Sequence, residues 1–348
     1  MQQVVMADKE EKKPVELTVA CEHPGILFAL CFDAEGGNLY GAGTDSAVYR
    51  VDVNTEKPVA EKAWTNHDNY VSSLVWNNGT VISGGYDRRL IWTTAETGES
   101  TRTIEDAHDG WIRDVAAFPD GSRVVSVGDD MLVKVWDAAT GKPVLSCEGH
   151  AKQTPQGYAT ALYTVAVSPD GGTIATADRI GDVCLWNAET GKLIRRLQAP
   201  AFYTYDSAKR SRSIGGIRSV SFSPDGTQIA IAGIGAVTNV DGFVGPARVE
   251  VWDWQSGKKL FTAEDKHNAV LNHVSFHPTR PLLVAAGGGD SGGILGFWES
   301  GQGKLTCKAK PKGHLQRFLV DAENDRLFAT GHGGFQIWSL QRLSPVVG

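Results

Sequence analysis

Val135–Val144 reads VWDAATGKPV, and Leu185–Ile194, fifty residues on, reads LWNAETGKLI. The same element returns as VWDWQSGKKL from Val251, IWTTAETGES from Ile91 and FWESGQGKLT from Phe297, with RVDVNTEKPV from Arg50 as a degraded copy. Anchored on Val51, Trp92, Trp136, Trp186, Trp252, Trp298 and Trp338, the spacings run from 40 to 50 residues, with one of 66. A fixed period of this length is the mark of a repeat architecture. Before each anchor lies an alternating segment with a turn inside it, such as SLVWNNGTVIS from Ser73, DVAAFPDGSRVVS from Asp114 and TVAVSPDGGTIAT from Thr164. The Asn-Gly and Pro-Asp-Gly elements are hairpin turns, and their flanks alternate as half-buried strands do. No capped helical period of ten or more residues interrupts them.

Each unit therefore reads as a four-stranded antiparallel blade, which cannot cover both of its faces and needs neighbours on either side. Seven units predict an all-β chain folded as a single seven-bladed β-propeller. The expected blades are residues 26–64, 70–105, 111–148, 161–198, 216–264, 270–309 and 315–340. The seventh has three strands of its own. KPVELTVACEH, Lys13–His23, resembles KPVLSCEGH, Lys142–His150, so residues 14–22 are expected to close the ring as its fourth strand. The propeller then spans residues 13–348, behind a polar, flexible N-terminal tail at residues 1–12.

On these residues the chain resembles the WD-repeat β-propeller family, over roughly residues 14–340, in the style of regular bacterial members. The family's signature is a His before the first strand, a Ser or Thr, an Asp and a Trp, joined by hydrogen bonds. Blade 3 matches with His108, Ser126, Asp130 and Trp136. Blade 2 offers His67, Ser83, Asp87 and Trp92, one residue shorter before the Trp. Blade 4 has His150, Thr176 and Trp186, with Ile180 in the Asp place. Blade 1 has His23 and Asp45 but Val51 for Trp, blade 5 lacks the His, and blade 7 pairs His314 and Trp338 with His332 near the Asp place. The resemblance implies structural roles for these residues, with no catalytic residue and no cofactor.

Composition narrows the function classes. With 34 Lys and Arg against 40 Asp and Glu, the formal net charge is −6, which disfavours a dedicated nucleic-acid binder. Five scattered cysteines suit a reducing compartment, and the expected location is cytoplasmic. No stretch is apolar enough for a membrane span. GDSGG, Gly289–Gly293, spells a serine-peptidase motif, but without its His and Asp segments Ser291 reads as a turn residue. His273 and His277 would sit about 13 Å apart on a strand, too far to share an ion, and no Cys pair has zinc spacing, so no metal is expected.

Insertions point to a docking surface. The long connections are residues 151–160, 199–216 and 233–248, with the GGGDSGG hairpin of blade 6. They cluster on blades 4–6 and all fall on the face that carries the blade-to-blade links and the strand 2–3 hairpins, which is therefore the expected docking face. Long loops on a rigid scaffold are where binding residues collect. Tyr158, Phe202, Tyr203, Tyr205, Lys209, Arg210 and Arg212 lie on these insertions. Tyr70, Trp111, Arg113, Tyr163 and Arg218 recur at similar repeat positions on the same rim. Aromatics and Arg are the residue types enriched at interface hot spots. The expected function is a non-enzymatic scaffold docking a protein or peptide partner, as one subunit of a larger assembly. The alternatives are a nucleic-acid binder using Lys209–Arg212 and an enzyme with a small ligand in the central channel.

Overall fold

The computed structural model describes residues 13–207, 212–238 and 244–343. The tail expected at residues 1–12 lies outside them. Among the described residues the regular structure is β-strand, apart from one 3-10 turn at Pro200–Phe202.

Blade 3 shows how the repeat folds. Ile112–Ala117, Arg123–Gly128, Val133–Asp137 and Pro143–Cys147 pair in chain order, all antiparallel. The recurring Trp-Asp-x-x-Thr-Gly-Lys has a local cause. The Asp137 carboxylate accepts both the N–H and the hydroxyl of Thr140, each at 2.7 Å, while Gly141 turns the chain back at φ 67°. Asn187 does the same for Thr190 in blade 4, ahead of Gly191 at φ 68°. A short side-chain acceptor and a residue free to adopt positive φ are what the turn requires, so the spelling repeats.

The strands sort into seven such sets. Three are separate four-stranded sheets, and two larger sheets each hold a pair of blades joined by one continuous strand. Lys258–Phe276 is the outer strand of blade 5 and then the inner strand of blade 6. Glu16–Asp33 is the outer strand of blade 7 and then the inner strand of blade 1. Its first part pairs with the last strand of blade 7, Glu16 opposite Ser339 and Glu22 opposite Gly334, so the N-terminal segment closes the ring. Val15 and Leu17 pack there with Trp338 and Leu340.

The core lies between blades. Each of the seven main apolar clusters joins residues of adjacent blades, as Val125 and Val133 join Leu162 and Trp186 between blades 3 and 4. Phe202 belongs to the cluster between blades 4 and 5 and is fully buried, with Ala177, Leu197 and Ile217. This corrects its placement on the docking surface: the apolar ring is part of the core between blades 4 and 5 and has no exposed face to offer.

The signature residues follow the sequence in blade 3 and depart from it elsewhere. His108 Nδ1 donates to Asp130 at 2.9 Å, and its Nε2 pairs with the Ser126 hydroxyl at 2.7 Å, which also accepts from Trp136 Nε1. In blade 4 the carboxylate comes from Asp178, not from the place held by Ile180. Asp178 stands at the end of the second strand, where blade 3 has Gly128, and meets His150 Nδ1 at 2.8 Å. In blade 2 the missing residue turns Trp92 to the opposite side of its strand, as the two-residue period demands. Its Nε1 donates to the Ala138 carbonyl of blade 3, while Thr93 fills the place of the network tryptophan.

At the axis, Asp114 on the first strand of blade 3 is 2% exposed. Its carboxylate accepts from Ser73 Oγ of blade 2, from Thr164 Oγ1 and the Val165 N–H of blade 4, and from Arg317 Nη1 of blade 7 at 3.0 Å. Arg317 thus bridges the channel.

Two measurements test these ties. Removing residues 1–22 should lower the melting temperature well below that of a chain lacking only residues 1–12, which should match the full chain. Asp114→Ala should destabilise by about 3 kcal/mol, the low end for breaking a buried ion pair, since water reaches Arg317. Denaturant unfolding of the Asp114→Leu, Arg317→Met double variant should show a smaller loss than Asp114→Ala, because no charge is left unpaired.

Candidate docking site at the channel mouth

The first strand of every blade places a buried aliphatic at its start, Leu27, Val71, Ile112, Leu162, Ile217, Leu271 and Leu315 in turn. The next residue then faces the channel. Phe28, Ser72, Arg113, Tyr163, Arg218, Asn272 and Gln316 are those residues, and they line an open cavity of about 610 Å³. The mouth is therefore divided. At this position blades 1, 3, 4 and 5 contribute aromatics and guanidiniums, blade 2 a serine and blades 6 and 7 amides, while Asp290, His314 and Arg317 also line the blade 6–7 side.

The aromatic side forms a continuous arc. Phe28 lies 6.1 Å from Tyr70, and Tyr70 lies 5.7 Å from Tyr86. Tyr86 stacks on Trp111 at 4.3 Å with planes 4° apart. Arg113 sits over Trp111, Tyr86 and Tyr163 at 4.9, 5.1 and 5.6 Å, held by two hydrogen bonds to Asp129 and one to the Tyr86 hydroxyl. Burial opposes its charge, but the Asp129 contacts outweigh that and raise its pKa. Arg218 lies over the other end of Tyr163 at 4.3 Å. Its one hydrogen bond, to the Gly215 carbonyl, is 3.4 Å long, and among the described residues it faces no carboxylate partner. Tyr70 and Trp111 remain 41% and 44% exposed, so each still offers a ring face to a partner.

The structure gathers Tyr70, Trp111, Arg113, Tyr163 and Arg218 into this one arc. Tyr158, Tyr203 and Tyr205 form a second group. Residues Tyr203–Asp206 and Arg212–Gly215 pair as a two-stranded ribbon where the sequence suggested only a loop. The Tyr203 hydroxyl donates to Gln156 at 2.6 Å, and Tyr158 and Tyr205 lie 6.4 Å apart. A small apolar cluster of Ile214, Ile234 and Val237 lies under the ribbon, so the insertions form a packed wall beside the mouth. Lys209, Arg210 and the side chain of Arg212 lie outside the described residues.

Phe28 and Tyr86 belong to the arc and were not singled out in the sequence. Phe28 holds the repeat position of Arg113 and Tyr163, so aligning first strands finds it. Tyr86 holds the hairpin position of Asp129, and only the stacking geometry shows what a ring there does.

The His–Asp networks set the rim. The Asp87 carboxylate accepts the Asp68 N–H at 3.0 Å, and Asp130 accepts the Asp109 N–H at 3.1 Å, which pins the links that lead to Tyr70 and Trp111. Burial alone would raise the pKa of both carboxylates. Hydrogen bonds and charge from His67 and His108, with the backbone donors, outweigh it and leave both lowered.

Among the described residues no group of three or more His, Cys, Asp or Glu is placed to hold a metal, and no helix is long and apolar enough to cross a membrane.

A family profile described as "WD domain, G-beta repeat" matches residues 98–137. Nuclear distribution protein nudF of Emericella nidulans is 33% identical over 151 residues, covering 38% of this chain and 33% of that protein. Protein groucho of Drosophila melanogaster is 23% identical over 224 residues, covering 63% of this chain and 26% of that protein. The matches thus span about a third and about a quarter of those relatives.

Lowered folded-state carboxylate pKa values fix the sign of an acid effect. The stabilisation is complete above the unfolded value and is lost as pH falls through the folded one. Urea unfolding should therefore show a loss of stability from pH 6 to pH 3 that is smaller in Asp87→Asn and Asp130→Asn than in the parent chain.

Proposed function

This chain is a member of the WD-repeat family, and on that footing we propose that it is a non-enzymatic scaffold docking a protein or peptide partner across the channel mouth. The observation that carries this reading is the arc from Phe28 to Arg218 around the mouth. Stacked rings held by an anchored guanidinium lose little freedom when a partner covers them, and such rigid aromatic surface is what hot spots are made of. Arg218 adds chemistry to the shape. Among the described residues no carboxylate pairs with it, so it favours a partner carboxylate at the edge of the mouth. The wall formed by the ribbon and residues 151–160 supports a partner that approaches from blades 4 and 5. The five cysteines are free, which supports a reducing, cytoplasmic setting.

The partner is to be isolated by affinity capture from the native source and its binding then measured with purified components. Trp111→Ala and Arg218→Gln should each weaken that binding by roughly thirtyfold, the loss of about 2 kcal/mol that marks a hot spot. Lys142→Ala and Lys192→Ala, in turns on the opposite face, should leave it unchanged. Retention of binding in the first pair and loss in the second would overturn the assignment of the face.

A further inference from the structure

The opposite face, which carries the strand 1–2 hairpins and the Thr-Gly-Lys turns, has a groove of about 1010 Å³ between blades 1 and 2. It exists because one hairpin is short. In blade 3 the first two strands end at Ala117 and restart at Arg123, whereas in blade 2 Asn77 pairs directly with Thr80. Asn78 and Gly79 make the whole turn, at φ 48° and 81°. Asn77 Nδ2 ties this turn to blade 3, donating to the Gly121 carbonyl at 3.1 Å. The short hairpin leaves the Trp76 indole partly uncovered as the groove floor. Trp76 is held flat against the buried Tyr40 ring, at 5.9 Å and 10°.

The walls are acidic. Asp33 and Glu35 come from the blade 1 hairpin, and Glu96 comes from the last turn of blade 2. Asp33 is engaged with the Gly36 N–H, which fixes the hairpin. Glu35 and Glu96 are exposed and make no hydrogen bond or ion pair among the described residues. Arg50 is the one Lys or Arg among the lining residues, and its guanidinium points to Glu61 at 3.6 Å.

We propose that this groove binds a basic, extended peptide segment of a partner protein, with an Arg or Lys side chain laid on the Trp76 indole and its charge set between Glu35 and Glu96. An indole face attracts a cation, and so do carboxylates that no cation answers among the described residues. A planar guanidinium meets both demands together, stacking on the ring while donating to a carboxylate. A neutral ligand would leave the carboxylates unanswered, and a phosphate-bearing one would be repelled. The chain's own ends do not match in charge: residues 1–12 carry Lys9 and Lys12 against Asp8, Glu10 and Glu11, and residues 344–348 carry no cation.

Calorimetric titration of the full chain with acetyl-Gly-Arg-Gly-Arg-Gly-amide is the test. The expected result is a Kd at or below about 1 mM, with at least about tenfold weaker binding of the Gln-for-Arg peptide. Trp76→Leu, which keeps an apolar floor, and the Glu35→Gln, Glu96→Gln double variant should each weaken the Arg peptide about fivefold or more, the double variant at an unchanged melting temperature and Trp76→Leu while still cooperatively folded at the assay temperature. Trp111→Ala should have no effect, which separates this groove from the channel mouth. Equal affinity for the Gln peptide, no detectable binding, or insensitivity to Trp76→Leu would overturn the proposal. So would tighter binding after removal of residues 1–12, which would make the groove's occupant the chain's own segment. Self-association abolished by Trp76→Leu would assign it to a second copy, again against the proposal.

Discussion

One carboxylate sits where four blades meet. Asp114 takes hydrogen bonds from blades 2, 4 and 7 while standing on blade 3, and the cross-channel contact from Arg317 reaches it from the far side of the ring. A buried charge is a liability unless every lone pair is answered. Here hydroxyl, amide and guanidinium donors answer it, and the arrangement works only if the first strands keep a fixed radius. The inter-blade clusters supply most of the apolar burial, but they are non-directional and would tolerate small changes in the ring. The Asp114 contacts are directional. They fix the spacing of the first strands, and so the spacing of the residue on each strand that faces the mouth.

That spacing is what turns seven unremarkable positions into a surface. Arg113 can touch three rings at once only because blades 2, 3 and 4 present their side chains at one height. Strand register places Phe28, Arg113, Tyr163 and Arg218, while the pinned links and a hairpin turn place Tyr70, Trp111 and Tyr86, so a partner meets rings already stacked. The insertions stand to one side as a wall. Their internal contacts, Tyr203 with Gln156 and Tyr158 near Tyr205, make them support as much as contact surface.

Much of this was legible in the sequence because the turns are chemically specific. Asp137 or Asn187 followed by Thr and Gly can be recognised without coordinates, and so can the alternation that precedes them. Ring closure was legible because residues 13–23 spell an outer strand. What escaped depended on side-chain reach, which spacing alone does not encode. Asp178 replaces a carboxylate from another backbone position, reaching His150 from the place that Gly128 holds in blade 3. Trp92 is spelled as a network residue, yet a one-residue deletion sends it to the other side of its strand. Phe202 sits in a polar, basic neighbourhood in sequence and in the core in space, since the 3-10 turn after Ala199 folds it inward. The site was legible position by position, but its continuity was not, because Tyr86 makes the link and its repeat position gives no hint of stacking.

The seam that joins residues 16–22 to 334–339 also orders events in time. The ring's first strand in chain order has its partner in the ring's last, and joining segments so distant costs about 5 kcal/mol in loop-closure entropy by the logarithmic law. Six blades can assemble while that strand waits with an unpaired edge. Such an edge invites pairing with neighbouring chains, and charges along it discourage that. Lys13, Glu16 and Glu22 line this strand, and Glu16 and Glu22 stay exposed after it docks. Their charge is of the kind that works against pairing with other chains along an open edge.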